Sequence, residues 1–226
     1  MTTSVGPDHA ALADHPEDAV DGADDVTILP WWRNPVTIVV SLIGMLVLAA
    51  TGGYVVGHNQ ALPDPNAADI GFLQDMRIHH EQAVQMGWIY LDDPNTSTQL
   101  EVMARDIIAS QEVEVGRFIQ LLRDFGAPES NDTDTAMSWM GMGMPIDEMP
   151  GLATDDELRE LAAATGPEAD AIFIRLMTLH HEGGIDMADH AAHHAATTEV
   201  REMATKIAAG QRDEIIEMAR LAPAGV

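Results

Sequence analysis

Two segments of the chain, Phe72–Met86 (FLQDMRIHHEQAVQM) and Phe173–Met187 (FIRLMTLHHEGGIDM), carry the same pattern of histidine, glutamate and methionine. Imidazole nitrogen and thioether sulfur form a soft ligand set, in which the thioether selects Cu(I) and the imidazole suits copper in either oxidation state. The spacing therefore predicts a copper site, with Cu(I) favoured and Cu(II) as the alternative. The predicted ligands in the two segments are Met76, His79, His80, Met86, Met177, His180, His181 and Met187.

Helical spacing places part of each segment on one inward stripe, because residues three and four apart share a helix face. His80 and His181 are turned by about 100° from this stripe, so they face an adjacent helix or the edge of the bundle. Glu81 and Glu182 turn further, toward solvent or a neighbouring histidine. The first stripe consists of Met76, His79, Ala83 and Met86, and the second consists of Met177, His180, Gly184 and Met187. The second stripe continues to His190 and His194, which are further candidate ligands.

A methionine-rich loop is a second candidate for metal binding. Residues 127–150 contain five methionines, of which Met140, Met142 and Met144 are spaced two apart beside Trp139. Exposed thioethers could capture Cu(I) without cysteine. The alternative is that this loop folds down as a lid on the helices.

Other metals and enzymatic chemistry fit the sequence less well. Calcium and magnesium require oxygen ligands, and zinc does not call for methionine. The Glu-x-x-His spacing of di-iron bundles is missing from the sequence, as are cysteine, a phosphate loop and a dinucleotide fingerprint. We therefore predict no enzymatic activity. Histidines that are only packed in the core remain an alternative.

The elements that position these residues form an internal repeat. The His-His-Glu segments recur at an offset of 101 residues, and the pattern from Met103 to Glu114 recurs at an offset of 100 from Met203 to Glu214. Helical patterns cover 67–91, 96–125, 155–164, 167–196 and 197–221, and the short helix is capped by Thr154. A duplicated helical hairpin forming an all-α four-helix bundle follows, with residues 67–226 as the metal-binding domain.

The N-terminal part predicts a membrane anchor. Residues 1–35 form an acidic tail expected to be disordered, 36–57 form an uncharged run long enough to span a bilayer, and 58–66 form a linker. A cleaved signal peptide is the alternative for the apolar run. Arg33, before the run, favours a cytoplasmic N-terminus and an extracytoplasmic bundle. The small residues Ala49, Gly53 and Gly57 would permit close helix packing with a homo-oligomer or membrane-complex partner.

The net charge of −26 argues against nucleic acid as a partner, since such a surface repels phosphates. The two His-His-Glu segments, the loop ending in Met149-Pro150-Gly151 and the helix 155–164 resemble the bacterial family known as domain of unknown function 305. This resemblance covers residues 67–221 and implies a ferritin-like bundle, with some members linked to periplasmic copper binding and tolerance.

The sequence thus predicts a membrane-anchored, extracytoplasmic copper-binding protein for sequestration, storage or hand-over of copper. Two other functions stay open. One is an accessory subunit of a membrane complex with packed histidines. The other is a metal-dependent oxidase.

Overall fold

The computed structural model describes residues 30–59, 64–131 and 133–222. The chain divides into two compact units, one ending at Gln60 and the other beginning at Ala61. Most of the predicted acidic tail, residues 1–29, lies outside the described residues, as do residues 60–63 of the predicted linker.

The first unit contains a short 3-10 turn, Trp31–Arg33, and helix α1, Pro35–Asn59. Pro35 suits the first helical position because its missing N–H would have no partner there, and the Asn34 side chain accepts from the Val36 N–H at 2.9 Å. The stretch Pro35–Gly57 is long and apolar enough to cross a membrane. A membrane span and a signal sequence share this length and composition, so both remain compatible with α1.

The second unit is a four-helix bundle built from two helical hairpins, which confirms the predicted all-α, ferritin-like architecture. The first hairpin pairs α2, Ala67–Leu91, with α3, Thr98–Asp124, and the second pairs α5, Pro167–His194, with α6, Thr198–Leu221. A short helix α4, Asp155–Ala163, precedes the second hairpin, and Thr154 caps it in a reciprocal capping box with Glu157.

Helices α2 and α5 form the centre of the bundle and run antiparallel. At one end, the Asn66 side chain donates to the His194 carbonyl at 2.9 Å. At the other end, the Tyr90 hydroxyl donates to Asp170 at 2.6 Å. The start of each helix therefore meets the end of the other, and their midpoints cross.

Two buried aspartates lock the hairpins together in a reciprocal way that the sequence did not reveal. Asp69, at the start of α2, accepts from the Thr197 N–H at 3.0 Å, just before α6. Asp170, at the start of α5, accepts from the Ser97 N–H at 3.0 Å, just before α3. Each hairpin thus satisfies free N–H groups at a helix start in the other hairpin. This explains why α3 begins at Thr98 rather than Thr96, and why α5 ends at His194 rather than near residue 196.

The loop between α3 and α4 folds onto the bundle, as the lid alternative expected. It contains a two-residue antiparallel ladder, β1 (Thr135–Ala136) with β2 (Met144–Pro145), and two 3-10 turns. Asp75 on α2 accepts from both the Met137 N–H and the Trp139 indole N–H at 2.8 Å. Burial raises the pKa of Asp75, although these two hydrogen bonds oppose the rise.

Candidate metal centre

The midpoint of the bundle holds two histidines in direct contact. His79 on α2 and His180 on α5 are fully buried, with ring centroids 3.7 Å apart and an interplanar angle of 35°. His180 Nε2 lies 2.8 Å from the His79 carbonyl oxygen, and His79 Nε2 lies 3.3 Å from the Pro150 carbonyl oxygen. The antiparallel crossing of α2 and α5 places these two stripe residues at the same level.

The second histidine of each motif pairs with a carboxylate on the neighbouring helix of its own hairpin. His80 Nε2 lies 2.8 Å from Glu114 on α3, and His181 Nε2 lies 2.6 Å from Glu214 on α6. Both imidazoles are fully buried, whereas the two carboxylates keep 28% and 29% of their side-chain surface exposed. Each carboxylate therefore connects a buried ring to the surface of the bundle.

The hydrogen-bond partners assign a tautomer to all four rings. A carbonyl or carboxylate oxygen only accepts, so the facing Nε2 atom must carry the proton. In the neutral form of each ring, the Nδ1 atom then carries the free lone pair. All four Nδ1 atoms are buried without a hydrogen-bond partner among the described residues. Metal-binding histidines characteristically donate their other N–H to a carboxylate or carbonyl in this way, so the rings fit a metal ion well.

Buried polar atoms without partners concentrate in this layer. Within the described part of the chain, nine buried side-chain nitrogen or oxygen atoms lack a partner. Four are the histidine Nδ1 atoms and four belong to the amides of Gln111 and Gln211; only Arg77 Nε lies elsewhere. Because unpartnered buried polar groups are costly, their concentration at symmetric positions makes this layer the candidate ligand site of the bundle.

Burial also keeps the stacked histidines neutral. The pKa of His79 and that of His180 lie well below the usual value of 6.5, chiefly because desolvation disfavours the charged ring, with neighbouring histidines adding repulsion. A neutral imidazole is the form that binds a metal ion. Both rings are therefore ready to act as ligands at neutral pH without releasing a proton.

The stripe methionines lie on both sides of the histidine layer, and their grouping follows the antiparallel crossing. Met76 and Met187 share one buried cluster, and Met86 and Met177 share the other. All four are fully buried. The methionine that precedes the histidines in one motif therefore lies with the methionine that follows the histidines in the other motif.

A tight backbone turn covers the layer from one side. Gly151 adopts a positive φ of 87°, and a side chain there would collide with the His180 backbone. A methyl group on Gly183 would overlap the Pro150 carbonyl group. Only glycine at these two positions allows the loop to press Pro150 against α5, where its carbonyl reaches His79.

Within the described residues, no three His, Asp or Glu side chains converge into a group that could hold a metal ion. Any ion at the histidine layer would therefore need the thioethers, or a small rotation of the rings, to complete its ligand set. Copper(I) accepts such sets with few, soft ligands more readily than zinc or magnesium does.

The other predicted ligands lie apart from the buried layer. His190 is half-buried against Trp139, and His194 is exposed and stacked on His190 at 3.9 Å. Met140 and Met144 are half-buried, and Met142 is 47% exposed. Along a helix, ten residues from His180 to His190 span roughly 15 Å. These residues could form only a separate, outer site.

An acidic groove leads to one carboxylate–histidine pair. Glu214 lines a groove of about 870 Å³ between α3 and α6, together with Asp106, Asp213 and Glu217, the last of which is ion-paired with Arg220. The groove floor includes Met103 and Ile107. A cation attracted to these carboxylates would arrive at the group that holds His181.

The sequence did not identify Glu114, Glu214, Gln111 and Gln211 as site residues. The internal repeat could have identified them, because all four residues recur at the offset of 100 and lie on the inward faces of α3 and α6. Apolar neighbours at the same offset masked it, since packing alone explains most of that recurrence.

Comparisons with known proteins agree on one family. The family model described as "Domain of unknown function (DUF305)" matches residues 69–222. A DUF305 protein from Streptomyces coelicolor is 36% identical, with a TM-score of 0.63 over 68% of this chain and 91% of that one. A DUF305 fragment from Deinococcus radiodurans is 26% identical, with a TM-score of 0.61 over 71% and 98% of the two chains.

A further solved structure, CopM in its Cu(I)-bound form, is 26% identical, with a TM-score of 0.50 over 68% of this chain and 94% of that one. CopM was also solved in a silver-bound form, at 25% identity and the same TM-score. A comparison with curated protein sequences found no significant match.

Proposed function

Because the chain belongs to the DUF305 family, we propose that it is a copper-binding protein whose ions are held at the histidine layer of the bundle. The observation that carries this proposal is the set of four buried imidazoles with free Nδ1 lone pairs. Each has its Nε2 proton directed to a carbonyl or carboxylate oxygen. This arrangement leaves four buried Nδ1 atoms without a hydrogen-bond partner among the described residues.

Copper is the metal favoured by the ligand types and by the comparison. The layer offers imidazole and thioether, with carboxylates acting only through the rings, and this set suits Cu(I). CopM, which shares the fold at 26% identity, has been solved with Cu(I). Silver, which binds CopM as well, resembles Cu(I) in charge and softness. Cu(I) is accordingly our first choice, with Cu(II) as a second state that the imidazoles could serve.

The experiment compares metal binding with folding in matched variants. Met76→Leu/Met177→Leu removes two thioethers at nearly constant volume, which usually costs less than ~1.5 kcal/mol in stability. Loss of a soft ligand should lower Cu(I) affinity at least tenfold, which corresponds to ~1.4 kcal/mol. His79→Gln/His180→Gln should weaken both Cu(I) and Cu(II). His193→Gln, which removes an exposed histidine outside the layer and outside the predicted ligands, is the control. Affinity comes from competition with a Cu(I) chelator, and stability from thermal melts of the same samples.

A packing role for the histidines predicts the opposite result. In that case, His79→Gln/His180→Gln would lower the melting temperature while copper affinity stayed at the parental value. The contacts that favour this alternative are the two Nε2–carbonyl hydrogen bonds, which also stabilise the metal-free core. If every layer variant kept parental affinity, the candidates left would be the His190/His194 pair and the Met140–Met144 segment.

We further propose that α1 anchors the protein in a membrane with the bundle, residues 67–226, on the extracytoplasmic side. Trp31 and Trp32 before α1 and Tyr54 near its end are residues typical of membrane interfaces, and Arg33 favours a cytoplasmic N-terminus. A reporter active only outside the cytoplasm, fused after Val226, should be active. Activity of a cytoplasmic reporter at the same position would reverse the proposed orientation, and release of the bundle from the membrane fraction would favour a cleaved signal peptide.

In that compartment the protein would sequester, store or hand over copper. Buried ligands fit retention of the ion, and the acidic groove at Glu214 fits its entry. Oxygen consumption by the copper-loaded protein would point to the oxidase alternative, and constant co-purification of one membrane protein would point to an accessory subunit.

A further inference from the structure

The histidine layer is built as two equivalent halves. Offsets of 101 and 100 residues relate every member of one half to a member of the other. Each half contains two free Nδ1 atoms, one unpartnered amide and one carboxylate–histidine pair. The two sets are Met76, His79, His80, Gln111 and Glu114, and Met177, His180, His181, Gln211 and Glu214.

Ring spacing distinguishes which imidazoles can share an ion. Two imidazoles bound linearly to one ion, each with a metal–nitrogen bond of about 2 Å, have centroids roughly 6.3 Å apart. The neighbours His79 and His80, at 6.5 Å, and His180 and His181, at 6.1 Å, lie close to this separation. The crossing pair His79 and His180, at 3.7 Å and tilted by 35°, is too close for both rings to bind one ion. Neighbours within one helix are therefore the better ligand pairs.

A thioether lies on the same helix turn as each pair. Met76 precedes His79 by three residues and His80 by four, and Met177 stands in the same relation to His180 and His181. Residues at these separations are neighbours on a helix surface. Met76 and Met177 are fully buried in different clusters, one on each side of the layer. The thioethers of the two halves therefore lie in different parts of the core rather than together.

We propose that the bundle binds two soft monovalent cations such as Cu(I), one at each Met-x-x-His-His segment, and not a single shared ion. This inference rests on the proposed copper-binding function and adds its stoichiometry and its division of ligands. Glu114 and Glu214 act as positioning residues, because each holds the Nε2 proton of one histidine and so turns its Nδ1 lone pair inward. His79 and His180, whose rings are in contact, each belong to one site and lie between the two ions.

The test counts the ions lost when one half is altered. The full-length chain in detergent micelles is titrated with Ag(I), and with Cu(I) under anaerobic conditions, against a competing chelator. Met76→Leu/His80→Gln alters one half, Met177→Leu/His181→Gln alters the other, and a fourfold variant combines them. His193→Gln, which removes an exposed histidine that is not among the predicted ligands, is the control outside both halves. We expect each two-residue variant to lose one high-affinity equivalent, the fourfold variant to lose two, and the control to lose none.

Circular dichroism on the same samples shows whether each variant remains folded. The single variants Met76→Leu and Met177→Leu are nearly isosteric, and each should lower the affinity for one of the two ions at least tenfold. If altering either half removes every equivalent that the fourfold variant removes, one shared ion is present and the inference is overturned while copper binding stands. If the fourfold variant loses nothing, the layer is not the site and both proposals fail.

Discussion

Acidification should destabilise the metal-free bundle through its two stacked histidines. His79 and His180 are fully buried and neutral, and desolvation holds the pKa of each well below 6.5. In the unfolded chain both rings take up protons as the pH falls below 6.5. The unfolded state then binds more protons than the folded state, so the free energy of unfolding rises with pH and is lost on acidification.

The size of the effect follows from the ordinary histidine pKa. While a ring stays neutral in the fold, lowering the pH from 7 to 5.5 stabilises its unfolded form by about 1.2 kcal/mol, or about 2.5 kcal/mol for the pair. This is a large part of the total stability of a small domain, which is typically about 5–15 kcal/mol. Asp75, whose pKa is raised by burial, contributes to the pH dependence of the free energy of unfolding with the opposite sign.

The change in the free energy of unfolding with pH is measured by urea denaturation of residues 66–226 in the presence of a metal chelator. Circular dichroism follows the unfolding at several values between pH 7 and pH 5.5. The variant His79→Gln/His180→Gln keeps Asp75 and all other titrating groups, so the difference between the two proteins isolates the histidine pair. We expect the variant to lose most of the pH dependence, whatever its absolute stability. A parental slope that survives unchanged in the variant would refute the assignment of these rings as buried and neutral.

Three further predictions concern the framework of the site. Gly183→Ala should destabilise the bundle by ~1–3 kcal/mol because the added methyl group would overlap the Pro150 carbonyl. Gly210→Ala, where the added methyl group meets open space, should stabilise the bundle by ~0.5–1 kcal/mol. Thermal melts that rank the two variants in the opposite order would contradict the close packing of Pro150 on α5. Asp69→Asn, which weakens the acceptor for the Thr197 N–H, should lower the free energy of unfolding by ~1–3 kcal/mol in urea titrations, and an unchanged midpoint would argue against the reciprocal caps. The bundle without α1 should be soluble, helical and cooperative in melting, and an aggregated product would count against an independent domain.

The duplicated hairpin shows which helix boundaries the local sequence predicts and which it does not. The start and end of α2, and the start of α4, lie where caps and stop signals predicted them, because Asn66 and Thr154 act within four residues of their partners. The start of α3 and the end of α5 were displaced by about two residues. They depend on Asp170 and Asp69, which act across about 70 and 130 residues of chain.

The loop between α3 and α4 illustrates a choice that local sequence left open. Its methionines fitted both an exposed ligand cluster and a lid. Asp75, on a helix more than 60 residues away, binds Met137 and Trp139 and fixes the loop against α2. Met137 and Met149 consequently enter the core, while Met142 stays exposed.

The sequence by itself determined the ligand types, their placement on inward helix faces and their duplication, because all of these follow from residue identity and the 3.6-residue period. Only the tertiary structure decided how the two copies meet. Antiparallel crossing of α2 and α5 brings His79 into contact with His180 and groups Met76 with Met187. Packing of α3 and α6 then brings Glu114 and Glu214 to the remaining histidines. Such contacts depend on helix direction and crossing, which burial of whole faces sets and no local pattern encodes.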